Sequence, residues 1–308
     1  MGNPIAQNSF PLMILFRLPA FRITLRRTRA LALGACVAHL SLLACAAAWA
    51  LETARGETAR IETARGETTR ASSRAVEILD GDTVRIDPPV DGFDVVRLAG
   101  IEAAKPPLAR PSDRPWPLAA RARDALAELA EHQELTLVMG GAPVDRYGRI
   151  LAHAFLADGR WLQGELLKLG LARVATRSDH AQRAHAMLAI ETQARADRRG
   201  LWASPAYAVL SPLKVRDHVG SFAVVEGEVL AARRIKNRIY LNFGRDWRDD
   251  FTVTIAAASL KRFSAAGLEP LALEGRKIRV RGWVERYNGP SIEATHPEQI
   301  ELVEREAP

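Results

Sequence analysis

Ile78-Leu79-Asp80-Gly81-Asp82-Thr83-Val84 is the stretch whose reading sets the fold. An Asp-Gly step between two apolar, β-rich runs is a hairpin signal. Residues 76–79 and 83–86 are therefore expected to pair as antiparallel strands. Downstream, Pro88-Pro89 and Asp91-Gly92 mark the next turn and residues 95–98 a third strand. Residues 135–139 and 150–156 read as two more strands, bracketing the turn Asp145-Arg146-Tyr147-Gly148-Arg149. Helical periodicity predicts helices over 117–132, 164–170 and about 180–199, the last stopped by Gly200. Five strands with an intervening helix predict a mainly β, α+β fold: an OB-like five-stranded barrel with flanking helices.

The same reading applies beyond the connector at 205–212. Strand-like runs at 221–231, 238–243 and 251–255 are followed by a short helix at 256–263. Further strands lie at 277–284 and 291–294, around the Asn288-Gly289 turn. This order predicts a second small OB-like β-barrel. The expected organisation is a leader at 1–50, a linker at 51–74, a first domain at 75–203 and a C-terminal domain at 204–308.

The chain has 308 residues, 48% of them hydrophobic and 26% charged, which excludes collagen-like and wholly disordered classes. The formal charge of +7 is unevenly placed. Residues 1–50 hold Arg17, Arg22, Arg26, Arg27 and Arg29 and no acid, whereas residues 75–203 carry 17 basic and 18 acidic side chains. A uniformly basic nucleic-acid binder is excluded, so any positive footprint must be local. Residues 30–50 form an apolar run ending in Ala48-Trp49-Ala50, an A-x-A-like cleavage site. The leader predicts export to the periplasm or medium. Retention as a membrane anchor stays open, as does lipidation at Leu42-Leu43-Ala44-Cys45. Both cysteines, Cys36 and Cys45, lie in the leader, so cleavage would leave no disulfide or thiol chemistry. Residues 52–71 are two near-copies of one polar decapeptide, too few for a solenoid and read as a flexible tether.

The segments quoted above, with Val96-Arg97-Leu98-Ala99-Gly100-Ile101-Glu102, Asp158-Gly159-Arg160-Trp161 and residues 194–202, occur in the order found in the thermonuclease (staphylococcal nuclease-like) family. The resemblance covers about residues 75–203. It implies an OB-like barrel that hydrolyses DNA or RNA phosphodiesters, with single strands the expected substrate and Ca2+ as cofactor. By position, Asp82 corresponds to the first calcium carboxylate and Glu102 stands where the family has an Asp, while the Ala103 carbonyl could ligate the metal. Hard oxygen donors are what calcium requires. Arg97 and Arg149 match the arginines that clamp the phosphate and stabilise transition-state charge. The sequence departs from the family at Glu102-Ala103-Ala104-Lys105-Pro106, because Lys105 stands where the family has the Glu general base. An ammonium cannot take a proton from water. Lys105 is therefore either a phosphate-binding cation or a base with a strongly lowered pKa. The implied activity is nuclease-like hydrolysis, with a catalytically weak or inactive binding module as the alternative.

Simpler readings stand beside these. Asp80 and Asp82 could be turn acids, Arg97 an exposed strand charge, and Arg149 a partner of Asp145 across its turn. His132, His153, His180 and His185 show no metal-ligand spacing and read as surface or satisfied histidines; Trp161 and Trp202 read as core anchors. In the second domain, Arg233, Arg234, Lys236, Arg238, Arg245 and Arg248 interleave with Tyr240, Phe243 and Trp247. That pattern fits either a single-strand-binding face or core aromatics with solvated charges between them.

Overall fold

The computed structural model describes residues 62–63, 69–106, 116–246 and 248–303. The leader, both cysteines, most of the decapeptide segment and Trp247 lie outside the described residues. Among the described residues no helix is long and apolar enough to cross a membrane.

The first barrel is built from β2 (Thr69–Asp80), β3 (Thr83–Val90), β4 (Phe93–Leu98), β6 (Glu134–Val144) and β7 (Ile150–Leu156). A two-residue strand, β1 (Glu62–Thr63), adds to the edge of β2. The strands run in the order β2-β3-β4-β7-β6, and β6 returns to pair with β2, which closes the barrel. The β4–β7 pairing is parallel and the others are antiparallel. Alternate residues fill the interior, among them Ile78, Val84, Val96, Leu98, Leu135, Leu137, Ile150 and Ala152. Helices α1 (Ala119–Ala130), α2 (Leu162–Lys168) and α3 (Ala184–Ala196) flank it, and the short strands β5 (Ile101–Ala103) and β8 (Ala172–Val174) pair beside it.

One boundary differs from expectation. Residues 69–74, assigned to the flexible linker, form the first half of β2, with Thr69 opposite Met139 and Arg74 opposite Glu134. Ala71, Ser73 and Ala75 are buried at alternate positions. The strand period is there, but its inward residues are too small to show as hydrophobic alternation.

The second barrel comprises β9 (Phe222–Glu228), β10 (Ala231–Ile235), β11 (Arg238–Asn242), β12 (Thr252–Ala256), β13 (Lys277–Trp283), β14 (Glu285–Tyr287) and β15 (Gly289–Glu293). Helix α4 (Ala257–Ala265) precedes β13, and β16 (Ile300–Leu302) pairs with β13. If β9/β10 and β13/β14 are each taken as one broken strand, the pairing repeats the first barrel's cyclic order. It again includes one parallel pair, here β12–β15. Phe251, Phe263, Leu241, Val253, Ile278 and Ile292 occupy its core.

The two barrels fall within one compact unit. Trp202, Ala194, Phe222 and Val224 make an apolar seam between them. Beside the seam lies a buried charge network. Arg281 on β13 is 1% exposed and donates to both carboxylate oxygens of Glu191 on α3, at 2.9 and 3.1 Å. Glu191 also accepts the Val174 N–H at 2.5 Å and pairs with Arg195 at 3.1 Å, while Arg281 further pairs with Glu301. Trp161 stacks on Phe155, with ring centroids 6.3 Å apart, and Trp202 is buried in the seam.

The histidines divide. His132 and His185 are exposed. His153 is not the satisfied or surface residue expected: it is buried against Trp161 with neither ring nitrogen hydrogen-bonded. His180 is buried with Nδ1 3.3 Å from Asp179. Burial, helped by the Arg183 charge, pushes His153 down to about 4. Burial and then Arg262 do the same to His296, against the pull of Asp179. The unfolded chain then binds protons between pH 6.5 and 4 that the fold does not, so stability present above pH 6.5 is lost as pH falls. Each histidine should remove about 2 kcal/mol by pH 5. Urea midpoints at pH 7.5 and 5 should draw closer together in His153→Leu than in the native chain; an unchanged gap refutes the assignment.

Candidate functional site

The site is assembled by the β2–β3 turn. A Cβ on Gly81 would lie 2.7 Å from Ala122 Cβ on α1 and 2.8 Å from Ala103 Cβ on β5, closer than carbon atoms can approach. Glycine lets the turn seat against both elements, which fixes Asp82 beside β5. The Leu98 N–H donates to the Asp82 carbonyl at 2.9 Å, which ties the turn to β4.

Asp82 is fully buried and all of its acceptor capacity is directed inward. Oδ2 accepts the Ala103 N–H at 2.7 Å, and Oδ1 accepts the Thr83 hydroxyl at 3.2 Å. Oδ1 also forms ion pairs with the Arg97 guanidinium and the Lys105 ammonium. Asp80 accepts the Asp82 N–H on Oδ1 at 2.9 Å and the Lys105 ammonium on Oδ2 at 3.1 Å. It is both a turn acid and an ion-pair partner. Arg97 donates through Nη2 to Glu102 Oε2 at 2.6 Å and to the Ile101 carbonyl at 3.1 Å. Arg97 is thus a largely buried hub rather than an exposed strand charge.

Arg149 lies at the end of the β6–β7 turn. Asp145 holds it through Nε at 2.8 Å and Nη2 at 2.7 Å, and its guanidinium sits 5.3 Å from the Tyr147 ring centre. Its pairing with Asp145 leaves its charge near enough to bear on Arg97. Burial lowers Arg97 below the ordinary guanidinium range and Arg149 adds to this, against the pull of Glu102 and Asp80. An arginine stays charged regardless. Burial, then the Arg97 charge, pulls Lys105 down to about 8 against Asp80 and Glu102, so at neutral pH it remains mainly an ammonium.

The structure therefore gathers Asp82, Arg97, Glu102, Ala103 and Lys105 into one cluster, with Arg149 at its electrostatic edge. Two residues were underweighted in the sequence. Asp80 is a second anchor for Lys105, and Asp145 fixes the aim of Arg149; the Asp-x-Asp spacing and the Asp145–Arg149 turn were the available signals.

Calcium takes six to eight oxygen ligands. The donors expected for it do not fit that role here. Both Asp82 oxygens are engaged by N–H or cationic groups, and Glu102 is turned to Arg97. The Lys105 ammonium sits between Asp80 and Asp82 and pairs with both. Among the described residues no group of three or more His, Cys, Asp or Glu is arranged to hold a metal ion.

A closed barrel of this strand order is an OB-like fold, and it gathers Asp80, Asp82, Glu102, Arg97 and Lys105 into one ion-pair cluster, with Arg149 on the neighbouring β6–β7 turn. The family described as staphylococcal nuclease homologue matches residues 95–204. The chain is 35% identical over 97 residues to a protein named thermonuclease from Staphylococcus intermedius, an overlap of 31% of this chain and 55% of that protein. The chain thus spans about half the length of that curated relative. Residues 95–204, which begin within β4 and run past α3, are thus similar to this family, while β2 and β3 lie outside the match.

Proposed function

We propose that the first barrel binds nucleic-acid phosphodiesters through Arg97 and Arg149, with Lys105 as a tethered cation in the place of calcium, and that it hydrolyses them slowly. The observation that carries this reading is the Lys105 ammonium held between Asp80 and Asp82. Where a phosphate displaces the carboxylates now paired with them, two guanidinium groups and an ammonium give it three charge-assisted donors. They can also stabilise negative charge that grows on the phosphoryl oxygens. The carboxylates of the site are held by cations and N–H groups, and Lys105 stands where the resemblance places the Glu general base, whose contribution is worth about 10²–10⁴-fold. The arginine-then-apolar order of residues 1–50 supports an exported location for this activity.

The test is calorimetry with deoxythymidine 3′,5′-bisphosphate, in EDTA and in calcium. Binding should be the same in both. Arg149→Ala, whose side chain is partly exposed, should weaken it by roughly 10- to 100-fold, the value of a hydrogen bond to a charged group. Its thermal midpoint should stay near that of the native chain. Binding that appears only with calcium and disappears in Asp82→Asn would overturn the proposal.

A further inference from the structure

The second barrel carries a cleft of about 290 Å³ that the nuclease-like site does not involve. It is lined by Arg233 and Ile235 on β10, Tyr240 on β11, and Tyr287 and Asn288 at the β14–β15 turn. Asn242 and Thr252 contribute to it from the strands, with the Thr252 hydroxyl donating to Asn242 Oδ1 at 3.2 Å. On β11 the inward residues Ile239 and Leu241 belong to the core, which leaves Arg238, Tyr240 and Asn242 on the outer face. Cross-strand register sets Arg233 opposite Tyr240 and Ile235 opposite Arg238, so apolar, aromatic and cationic side chains share that face.

Tyr287 is 59% exposed and Ile235 57%, although neither is required to close the core. Burial, and then the neighbouring Tyr287 phenol, raises the Tyr240 phenol above its ordinary range. Phe243, by contrast, is a core residue packed 5.1 Å from Phe251, so the aromatic pattern in the sequence divides into one buried and one exposed part.

The charges around the cleft favour an anionic ligand. Arg233 pairs with Glu274 and Arg238 with Glu293, but these are exposed ion pairs of little net value, and a phosphate can displace either acid. Lys236, at the β10–β11 turn, has no ion pair among the described residues. The neighbouring loop acids are used locally: Asp250 accepts the Asp246 N–H at 2.8 Å, and Asp246 accepts the Arg248 N–H at 3.0 Å.

One exposed and one half-buried ring, with cations on the same face and a polar floor, suit a ligand that alternates planar bases with phosphates. A base has a π-face that a tyrosine can stack on, and the backbone can follow the arginines and the lysine. We propose that this cleft is a single-stranded nucleic-acid site, with Tyr240 and Tyr287 as base-stacking platforms and Arg233, Lys236 and Arg238 as phosphate contacts. It is separate from the Arg97–Arg149 site and does not depend on hydrolysis there.

The test uses the full chain in EDTA and a fluorescein-labelled 15-mer of deoxythymidine, read by anisotropy. Tyr240→Ala and Tyr287→Ala should each weaken binding by roughly 5- to 100-fold, in the native background and in Arg149→Ala alike. Tyr287→Phe should keep most of the affinity, because the ring face remains. Far-ultraviolet dichroism should be unchanged, and Lys236→Glu supplies an independent variant at an exposed turn that should also weaken binding. Unchanged affinity in both alanine variants overturns the proposal, as does equal affinity for an abasic 15-mer, which would reduce the site to a charged surface. Loss of all binding in Arg149→Ala, with no effect of the tyrosines, would overturn the cleft and leave the first barrel's reading intact. The converse result would spare the cleft and sink that reading.

Discussion

Arg281→Met is expected to destabilise the protein by about 3–5 kcal/mol, the cost of leaving a buried charge without its partner. Glu191 is fully buried; after the substitution it would keep the Val174 N–H and Arg195 but lose its bidentate contact with Arg281. At about 2–4 °C per kcal/mol for a domain pair of this size, the thermal midpoint should fall by roughly 6–20 °C. Because Glu191 stands on α3 of the first barrel and Arg281 on β13 of the second, the variant should also loosen the join, and two unfolding transitions should replace one. Removing both charges, in Glu191→Gln with Arg281→Met, should cost less than the two single changes added together, since neither charge is then left buried alone. A single-variant cost below 1 kcal/mol by urea unfolding would show that solvent reaches the pair and that the apolar seam alone holds the barrels together.

That same pair shows where the sequence stops being legible. In Lys277-Ile278-Arg279-Val280-Arg281 the alternation is plain, and Ile278 and Val280 do face the second barrel's core. The polar members read as a solvent face by the ordinary rule for antiparallel strands. In the fold that face meets α3 of the other barrel, so Arg281 is buried while Arg279 pairs with Glu226 at 2.5 Å. A sequence pattern reports which side of a strand meets its own core and is silent on what covers the other side. The hairpin at Asp80–Asp82 was legible because turn chemistry is local: Asp-Gly sets the backbone and Gly81 is the only residue that clears Ala122 and Ala103. The start of β2 was not, because Ala71 and Ser73 fill the barrel without being strongly apolar. The strand run read at 221–231 breaks between β9 and β10, and β16 is too short at three residues to show a period.

Lys105→Glu should produce the largest change in chemistry. The native cluster holds an ammonium between Asp80 and Asp82; the substitution places a third carboxylate there and frees the two aspartates of their shared cation. Three acids with nearby carbonyls form a plausible calcium set of low charge density, at the weak end of protein sites, near 10⁻⁴–10⁻³ M. With 10 mM calcium and a dissociation constant of about 1 mM, binding would stabilise the variant by about 1.4 kcal/mol. The native chain, with Lys105 in place, should show no such shift. The new carboxylate also supplies a proton acceptor for water, so calcium-dependent cleavage of a single-stranded oligonucleotide should rise, by up to about 10²-fold where geometry permits. Binding of the nucleoside bisphosphate in EDTA should weaken, because a cation near the phosphate has become an anion. These three readouts separate the possibilities. A native chain that gains stability from calcium would return the metal to the wild-type site and remove Lys105 from its role as the resident cation. A native chain that cleaves well, with a dead Lys105→Glu variant, would make the lysine itself the group on which turnover depends. The first outcome needs Lys105 to swing away from Asp80 and Asp82; the second needs it to lose its proton while still facing both. The two carboxylates about one ammonium oppose the first, because charge pairing holds the lysine in place. They also resist the second, though burial and Arg97 outweigh them and bring Lys105 down to about 8, so that it still mainly carries its proton at neutral pH.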